Sequence, residues 1–382
     1  MNKKLIAVAV AGAFAVPGIA TAQVTVSGKL GIQLSNIKIS DELPARAGLN
    51  KSETFMNDNA SIIRIGARET LGGGMEAYGQ YEFRPLMDGN STGPAGTVQA
   101  GSPTGVSYVG LKSNAWGSIR AGTDTTWSQT GSGLSTSASQ HYSSSTILNY
   151  VPIAGASTSF SSSRQRNVII YDTPNFKNGF KLTAIWSAAA STDEKDLSTG
   201  NRKGGAWYLL PQYSAGNWKL GYNYANLKQE VTGLATATTP WNLKGHKLWG
   251  EMNFGGGFEG QLVYAKIKTD HGTTGVALGD VKKILVALRY RAGNNTFGLM
   301  HGTSSDDKVQ AGDQKYTQTG LSYNYNFSRR TNMGVTWMKL KNGAGINADI
   351  GSTTTTSYAT ASASANLGED QSLISLSLNH NF

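Results

Sequence analysis

The sequence predicts an all-β fold: a sixteen-stranded antiparallel transmembrane β-barrel around an aqueous lumen. Three observations predict it. Apolar and polar residues alternate at period two in many short segments, short turns alternate with long polar connections, and aromatic residues crowd the short turns.

The alternation is clearest at the two ends. Val24, Val26, Gly28, Leu30, Ile32 and Leu34 hold one parity, and Thr25, Ser27, Lys29, Gly31 and Gln33 hold the other. Near the C-terminus Ile374, Leu376, Leu378, His380 and Phe382 alternate with Ser375, Ser377, Asn379 and Asn381. A strand sends successive side chains to opposite faces, so each segment has one apolar and one wet wall. Trp218, Leu220, Tyr222 and Tyr224 repeat the pattern, as do Ile284, Val286, Leu288 and Tyr290.

Half-buried strands also build soluble sandwiches, and the connections separate the two cases. Tight turns are expected at 71–74, 113–116, 175–178, 215–217, 255–257, 292–294 and 328–330, with long polar stretches between them, the longest from Asp124 to Arg166. All tight turns then share one rim and all long loops the other, as in outer-membrane barrels. Phe176 and Phe180, Tyr213 and Trp218, and Phe254 and Phe258 flank such turns, where aromatic rings suit a membrane-water boundary. The expected strands are 24–34, 61–69, 75–84, 106–112, 117–123, 167–174, 179–187, 205–214, 218–227, 243–254, 258–268, 281–290, 295–303, 316–326, 332–341 and 370–382. An open edge in lipid would leave backbone groups unpaired, so the sheet must close. That many strands enclose a lumen too wide for side chains to fill.

The first residues point to export. Lys3 and Lys4 precede an apolar run from Leu5 to Ala20, and Ala20-Thr21-Ala22 gives small residues at a cleavage site. Residues 1–22 are read as a signal peptide and 23–382 as a single barrel domain. The apolar run is short for a membrane helix and is broken by Gly12, Pro17 and Gly18. There is no cysteine, so the fold must close without disulfides or thiolate metal sites. The formal net charge is +10. Export turns that basic excess away from nucleic acid and toward anionic solutes, outer-membrane lipid and lipopolysaccharide.

Catalysis finds little support. His141, His246, His271, His301 and His380 are scattered, with no His-x-x-x-His pair and no nucleophile elbow. Asp193-Glu194-Lys195-Asp196 and Asp306-Asp307 lack calcium-loop spacing and read as solvated charge. No cofactor and no metal are expected. Two other readings compete with a diffusion channel: an adhesin or structural barrel, which would not conduct, and a barrel enzyme, which needs converging nucleophile, base and acid.

Several segments, in order, resemble the general porins of Gram-negative bacteria, especially the β-proteobacterial type. They are Val24-Thr25-Val26-Ser27-Gly28, Arg68-Glu69-Thr70-Leu71-Gly72-Gly73-Gly74, Val109-Gly110-Leu111 leading to Gly117-Ser118-Ile119-Arg120-Ala121-Gly122, Tyr171-Asp172-Thr173-Pro174-Asn175-Phe176, Tyr323-Asn324-Tyr325 and the terminal Phe382. The resemblance implies a homotrimer, a third long loop folded into the barrel, a constriction between a basic wall and acidic loop residues, and an assembly signal at Phe382.

Parity marks the wall independently. Ile63, Ile65 and Ala67 outward put Arg64 and Arg68 inward; Ile119 and Ala121 outward put Arg120 and Asp124 inward; Tyr81 and Phe83 outward put Glu82 and Arg84 inward. Lys29 joins them from the first strand. The candidate constriction residues are therefore Lys29, Arg64, Arg68, Arg84, Arg120 and Asp124. From Thr125 to Ser163 the long loop has no Asp, Glu, Lys or Arg. Arginines without facing carboxylates give a positive potential in a narrow pore, which predicts anion preference. Trp127, His141, Tyr142 and Tyr150 in this loop serve either as an aromatic face for a ring-bearing solute or as anchors to the wall.

Overall fold

The computed structural model of the chain describes residues 23–39, 51–85, 87, 105–127, 147–148, 150–153, 156–159, 165–188, 202–231, 241–271, 274, 277–308, 313–346, 350 and 368–382. The expected signal peptide, the Asp193–Asp196 cluster, His141 and Tyr142 lie outside them. The strands are β1 (Gln23–Ile39), β2 (Ser52–Asp58), β3 (Ile62–Gly72), β4 (Met75–Phe83), β5 (Ser107–Ser113), β6 (Gly117–Asp124), β7 (Tyr150–Ile153), β8 (Ala156–Ser159) and β9 (Gln165–Asp172). They continue as β10 (Phe180–Ser187), β11 (Arg202–Ala215), β12 (Trp218–Val231), β13 (Trp241–Gly255), β14 (Phe258–His271) and β15 (Ala277–Ala292). The last are β16 (Asn295–Asp306), β17 (Tyr316–Asn326), β18 (Thr331–Asn342) and β19 (Gln371–Asn381).

Each barrel strand pairs antiparallel with the next, and β1 closes on β19 in a register from Lys29 opposite Asn381 to Ile39 opposite Gln371. Phe382 finishes the seam. Its N–H donates to the Gly28 carbonyl at 3.1 Å, and the Gly28 N–H donates to its carbonyl at 3.0 Å. Both β2 and β3 pair with β1, so they are two halves of one barrel strand interrupted at Asn59–Ser61. Counted that way, the barrel has sixteen strands, and β7 pairs with β8 in a separate hairpin.

The interruption is built from polar contacts. Ala60 takes φ +54°, a strained value for a residue with a Cβ. The Asn59 N–H donates to the Gly31 carbonyl at 2.9 Å, and the Gly31 N–H donates to Ser61 Oγ at 3.0 Å. From the buried side, Asn59 Nδ2 donates to Asn379 Oδ1 at 2.7 Å. These bonds tie β1, the β2–β3 break and β19 together across the seam.

All seven expected tight turns join consecutive barrel strands. Two of them share one backbone solution: Gly72, Gly73 and Gly74 take φ of +81°, +58° and +75°, and Gly255, Gly256 and Gly257 take +81°, +58° and +86°. Three successive left-handed residues suit only glycine. Beside these turns the aromatics form a band, with Phe258 stacked on Tyr290 at 4.3 Å and Phe297 against Tyr323 at 5.1 Å.

The structure corrects the sequence reading at the long-loop rim. Strand β2 and the β7–β8 hairpin were not expected, because Ser52–Asp58 places Phe55 and Met56 side by side and so lacks alternation. The expectation of one apolar and one wet wall also fails on part of the inner surface. Ile170, Ile185, Tyr208, Leu227, Leu243, Ile267, Leu285, Met300 and Leu340 all have inward parity and are buried. On β14 the inward series runs Glu259, Gln261, Val263, Ala265, Ile267, polar near the tight turn and apolar toward the long loops.

Candidate functional site

What covers that apolar inner wall is the segment after β6. Trp127 is fully buried against Gly245 of β13, on the far side of the lumen. Lys247 Nζ donates to the Trp127 carbonyl oxygen and lies 5.1 Å from its ring centroid, a cation–π distance. Asn223 Nδ2 donates to the same carbonyl at 3.4 Å. Ile147 packs on Gly302 of β16, and β7 lies beside β15. The described parts of the long segment therefore cross the lumen and bury apolar side chains on the β12–β16 wall. Among the four aromatic candidates, Trp127 is an anchor.

The wall that this crossing leaves uncovered is the charged one. Arg64 Nε donates to Glu82 Oε2 at 2.9 Å, and Arg84 donates twice to Glu82 Oε1, at 2.9 Å from Nε and 2.7 Å from a terminal nitrogen. Arg120 donates to Asp124 Oδ2 at 2.6 Å and also to Asp172 Oδ2. Asp172 further accepts from Thr183 Oγ1 at 2.5 Å and lies 3.2 Å from Lys181 Nζ. Arg64, Arg120 and Asp124 border a single recess of about 520 Å³, together with Glu82, Tyr78 and Tyr108. Arg120 lies 5.5 Å from the Tyr108 ring centroid, within cation–π reach.

The sequence candidates therefore divide. Arg64 and Arg84 share Glu82, and Arg120 pairs with Asp124 and Asp172 in a second group on the same recess. Lys29 stands near them on β1, within reach of Asp58, Arg84 and Arg64. Arg68 stands apart toward the tight turn, 3.9 Å from Glu76, which Lys112 approaches more closely at 2.9 Å. Phe382 is on the outer face over Gly28, away from the lumen charges. Asp172, Tyr78, Tyr108 and Lys181 were missed. Parity alone could have found them, since Tyr171 and Val109 outward put Asp172 and Tyr108 inward.

The loop sequence from 125 to 163 carries no carboxylate to face this wall, and the wall's own carboxylates, Glu82, Asp124 and Asp172, stand between the arginines. The two kinds of side chain differ in exposure. The Glu82 side chain is 1% exposed whereas that of Arg64 is 42% exposed. Asp124 and Asp172 are likewise less exposed than Arg120. The Glu82 carboxylate lies behind and the Arg64 guanidinium meets the water, while Arg84 and Arg120 are largely covered along with their partners.

Other charged candidates do not form sites. Asp306 Oδ1 accepts the backbone N–H groups of Asp280 and Lys308, while Asp307 pairs with Lys282 at 2.5 Å, so the two carboxylates serve different partners. Among the described residues no three metal-ligating side chains come together.

Comparison with known proteins agrees with this architecture. A family model described as Gram-negative porin matches residues 7–345. The major outer membrane protein P.IB of Neisseria lactamica is 25% identical over 366 residues, covering 92% of this chain and 98% of that protein. The corresponding protein of Neisseria sicca is 24% identical over 372 residues, covering 90% and 95%. Among solved structures, an anion-selective porin from Comamonas acidovorans superimposes with a TM-score of 0.72 at 20% identity, over 95% of this chain and all of that one. The trimer form of OmpT from Vibrio cholerae gives 0.64 at 13% identity, over 95% of this chain and all of that one.

Proposed function

The chain belongs to the Gram-negative porin family, and on that premise we propose that this outer-membrane diffusion channel prefers anions among the small hydrophilic solutes it passes. The observation that carries the reading is the composition and exposure of the recess wall, where Arg64 meets water over a buried Glu82 and Arg84 and Arg120 add positive charge beside it. The charge-free loop adds to it, since no acidic side chain from 125 to 163 offsets the wall. The anion selectivity named for the Comamonas acidovorans relative is consistent with this reading.

Lys29, Arg64, Arg84 and Arg120 form the selective wall in this proposal, and Arg68 adds charge toward the tight-turn rim. Asp124 and Asp172 act through Arg120, holding it in place. A unit charge ~5 Å from a permeating ion contributes roughly 0.8 kcal/mol at the dielectric of water, about a fourfold change in local ion concentration. Glu82→Gln leaves Arg64 and Arg84 without their counter-charge and raises the chloride-to-potassium permeability ratio by up to about sixteenfold, since the field gains chloride and loses potassium by that factor each. Arg64→Ser has the opposite effect, because it removes the exposed cation and uncovers Glu82. Permeability ratios from planar bilayers check both; equal ratios in the two variants contradict the assignment.

The same proposal includes removal of residues 1–22 as a signal peptide, assembly as a homotrimer and a role for Phe382 in assembly. The trimer form named for a Vibrio cholerae relative is consistent with the second. Intact-mass analysis of the native protein checks the first two, with three copies per particle and a chain beginning at Gln23.

A further inference from the structure

The lumen wall is not charged all the way round. On β17, β18 and β19 the inward positions run from Gln318 to Asn326, from Asn332 to Leu340 and from Gln371 to Asn381, and none of them is Asp, Glu, Lys or Arg. The inward positions of β3, β4, β6 and β9 hold Arg64, Glu82, Arg120 and Asp172. A charged wall and a neutral wall therefore share one channel. They meet at β1, which pairs with β3 on one side and β19 on the other.

Toward the tight turns the neutral wall is made of asparagine. Register sets Asn326 opposite Asn332 and Asn332 opposite Asn379, while Asn381 stands directly opposite Lys29. On the other side of β1, Ser27 stands opposite Arg64. Asn324, Asn326, Asn332 and Asn381 are half-buried and meet the lumen, whereas Asn379 is buried and holds the seam through Asn59.

These amides are only partly used. Asn332 Oδ1 accepts from Asn379 Nδ2 at 3.1 Å, and Asn381 Nδ2 donates to the Arg330 carbonyl at 3.2 Å. Among the described residues this leaves the Asn332 Nδ2 donor and the Asn381 Oδ1 acceptor without a protein partner, and Asn324 Oδ1 has none either. A carboxamide carries donor and acceptor on one planar group. A run of such groups suits a chain of hydroxyls, each of which also donates and accepts. Adjacent strands stand ~4.8 Å apart, so Asn381 is one strand spacing from Lys29 and Asn332 roughly 10 Å from it around the wall. That is within the span of a five- or six-carbon solute whose anionic end is held by the long lysine side chain.

We propose that the asparagine track of β17–β19 and the basic wall beside it together bind polyhydroxylated anions, the sugar acids, during passage. The carboxylate pairs with Lys29 and Arg64, and the hydroxyls exchange hydrogen bonds with Asn381, Asn332 and Asn324. Neutral amides hold each hydroxyl weakly, so the solute steps along the track and leaves, as conduction requires. The charged half of this site rests on the anion preference proposed above; the asparagine half does not.

The test measures how gluconate, hexanoate and glucose reduce the chloride current through the full-length channel in planar bilayers. Gluconate and hexanoate carry the same charge and differ in hydroxyls, and glucose carries hydroxyls without the charge. Gluconate is expected to half-block the parent at a concentration roughly fivefold or more below either of the others, the equivalent of one or two neutral hydrogen bonds. N332A/N381A removes the advantage over hexanoate, and Q212A/S214A, at inward positions of β11, leaves it in place. The chloride conductance of each variant shows that its barrel is intact. N324A, whose Oδ1 bonds nothing among the described residues, carries the same test with a smaller loss if the double variant does not insert. Equal block of the parent by gluconate and hexanoate, equal block by gluconate and glucose, or an undiminished advantage in a conducting N332A/N381A channel overturns the proposal. Failure of the ion preference shows separately, as a potassium-preferring reversal potential in chloride salt alone.

Discussion

Replacing Trp127 with alanine should raise single-channel conductance and make the open level noisier. The ring is fully buried on Gly245, and its carbonyl is held by Lys247 and Asn223. Removing a buried aromatic side chain costs about 3–5 kcal/mol through lost burial and the cavity left behind. Here that loss falls on the docking of a crossing segment, because the barrel ladders do not pass through this residue. The strands stay closed while the segment loosens from the wall, and the cross-section it occupies becomes available to ions. Trp127→Phe keeps most of the apolar contact and should conduct near the parent level. Conductance in the alanine variant equal to the parent's would mean that the crossing segment does not narrow the pore.

Gly28→Val should prevent barrel closure. A Cβ at Gly28 would stand 2.7 Å from Phe382 Cζ and closer still to the Ile62 carbonyl oxygen, which cannot retreat without breaking the β1–β3 ladder. Gly28 is also where Phe382 makes both of its closing backbone bonds. The clash and the lost bonds fall on the same seam, so the expected outcome is loss of the compact species seen when unheated barrel is run on a denaturing gel. Gly72→Ala is the contrast. Its φ of +81° disfavours alanine, but nothing lies within 4 Å, so the cost is about 1 kcal/mol and the barrel should still fold. A Gly28→Val protein that migrates and conducts like the parent would contradict this account of closure.

The contrast between those two glycines shows how far the sequence could be read. Turn glycines such as Gly72 are legible because their conformational demand is local. Strand positions across the lipid band are legible because lipid enforces an apolar outer face, which leaves Arg64, Glu82 and Arg120 on the inside by parity alone. Gly28 is different: its requirement comes from Phe382, more than 350 residues away in the chain. The ion pairs were hidden for the same reason. Parity places Asp172 inward and strand order makes β9 the neighbour of β6, but neither says that Asp172 and Asp124 share Arg120. The apolar inner wall from Ile170 to Leu340 breaks the alternation because its partner is the crossing segment rather than water. Above the lipid band, where neither solvent nor lipid imposes period two, β2 gave no signal at all.

The most direct test of the central claim is the reversal potential of the parent channel in a potassium chloride gradient across a planar bilayer. If the basic wall, with Arg64 exposed over a buried Glu82, sets the field of the recess, chloride permeates faster than potassium and fixes the sign of that potential. A reversal potential of the opposite sign, showing potassium to be the more permeant ion, would contradict it.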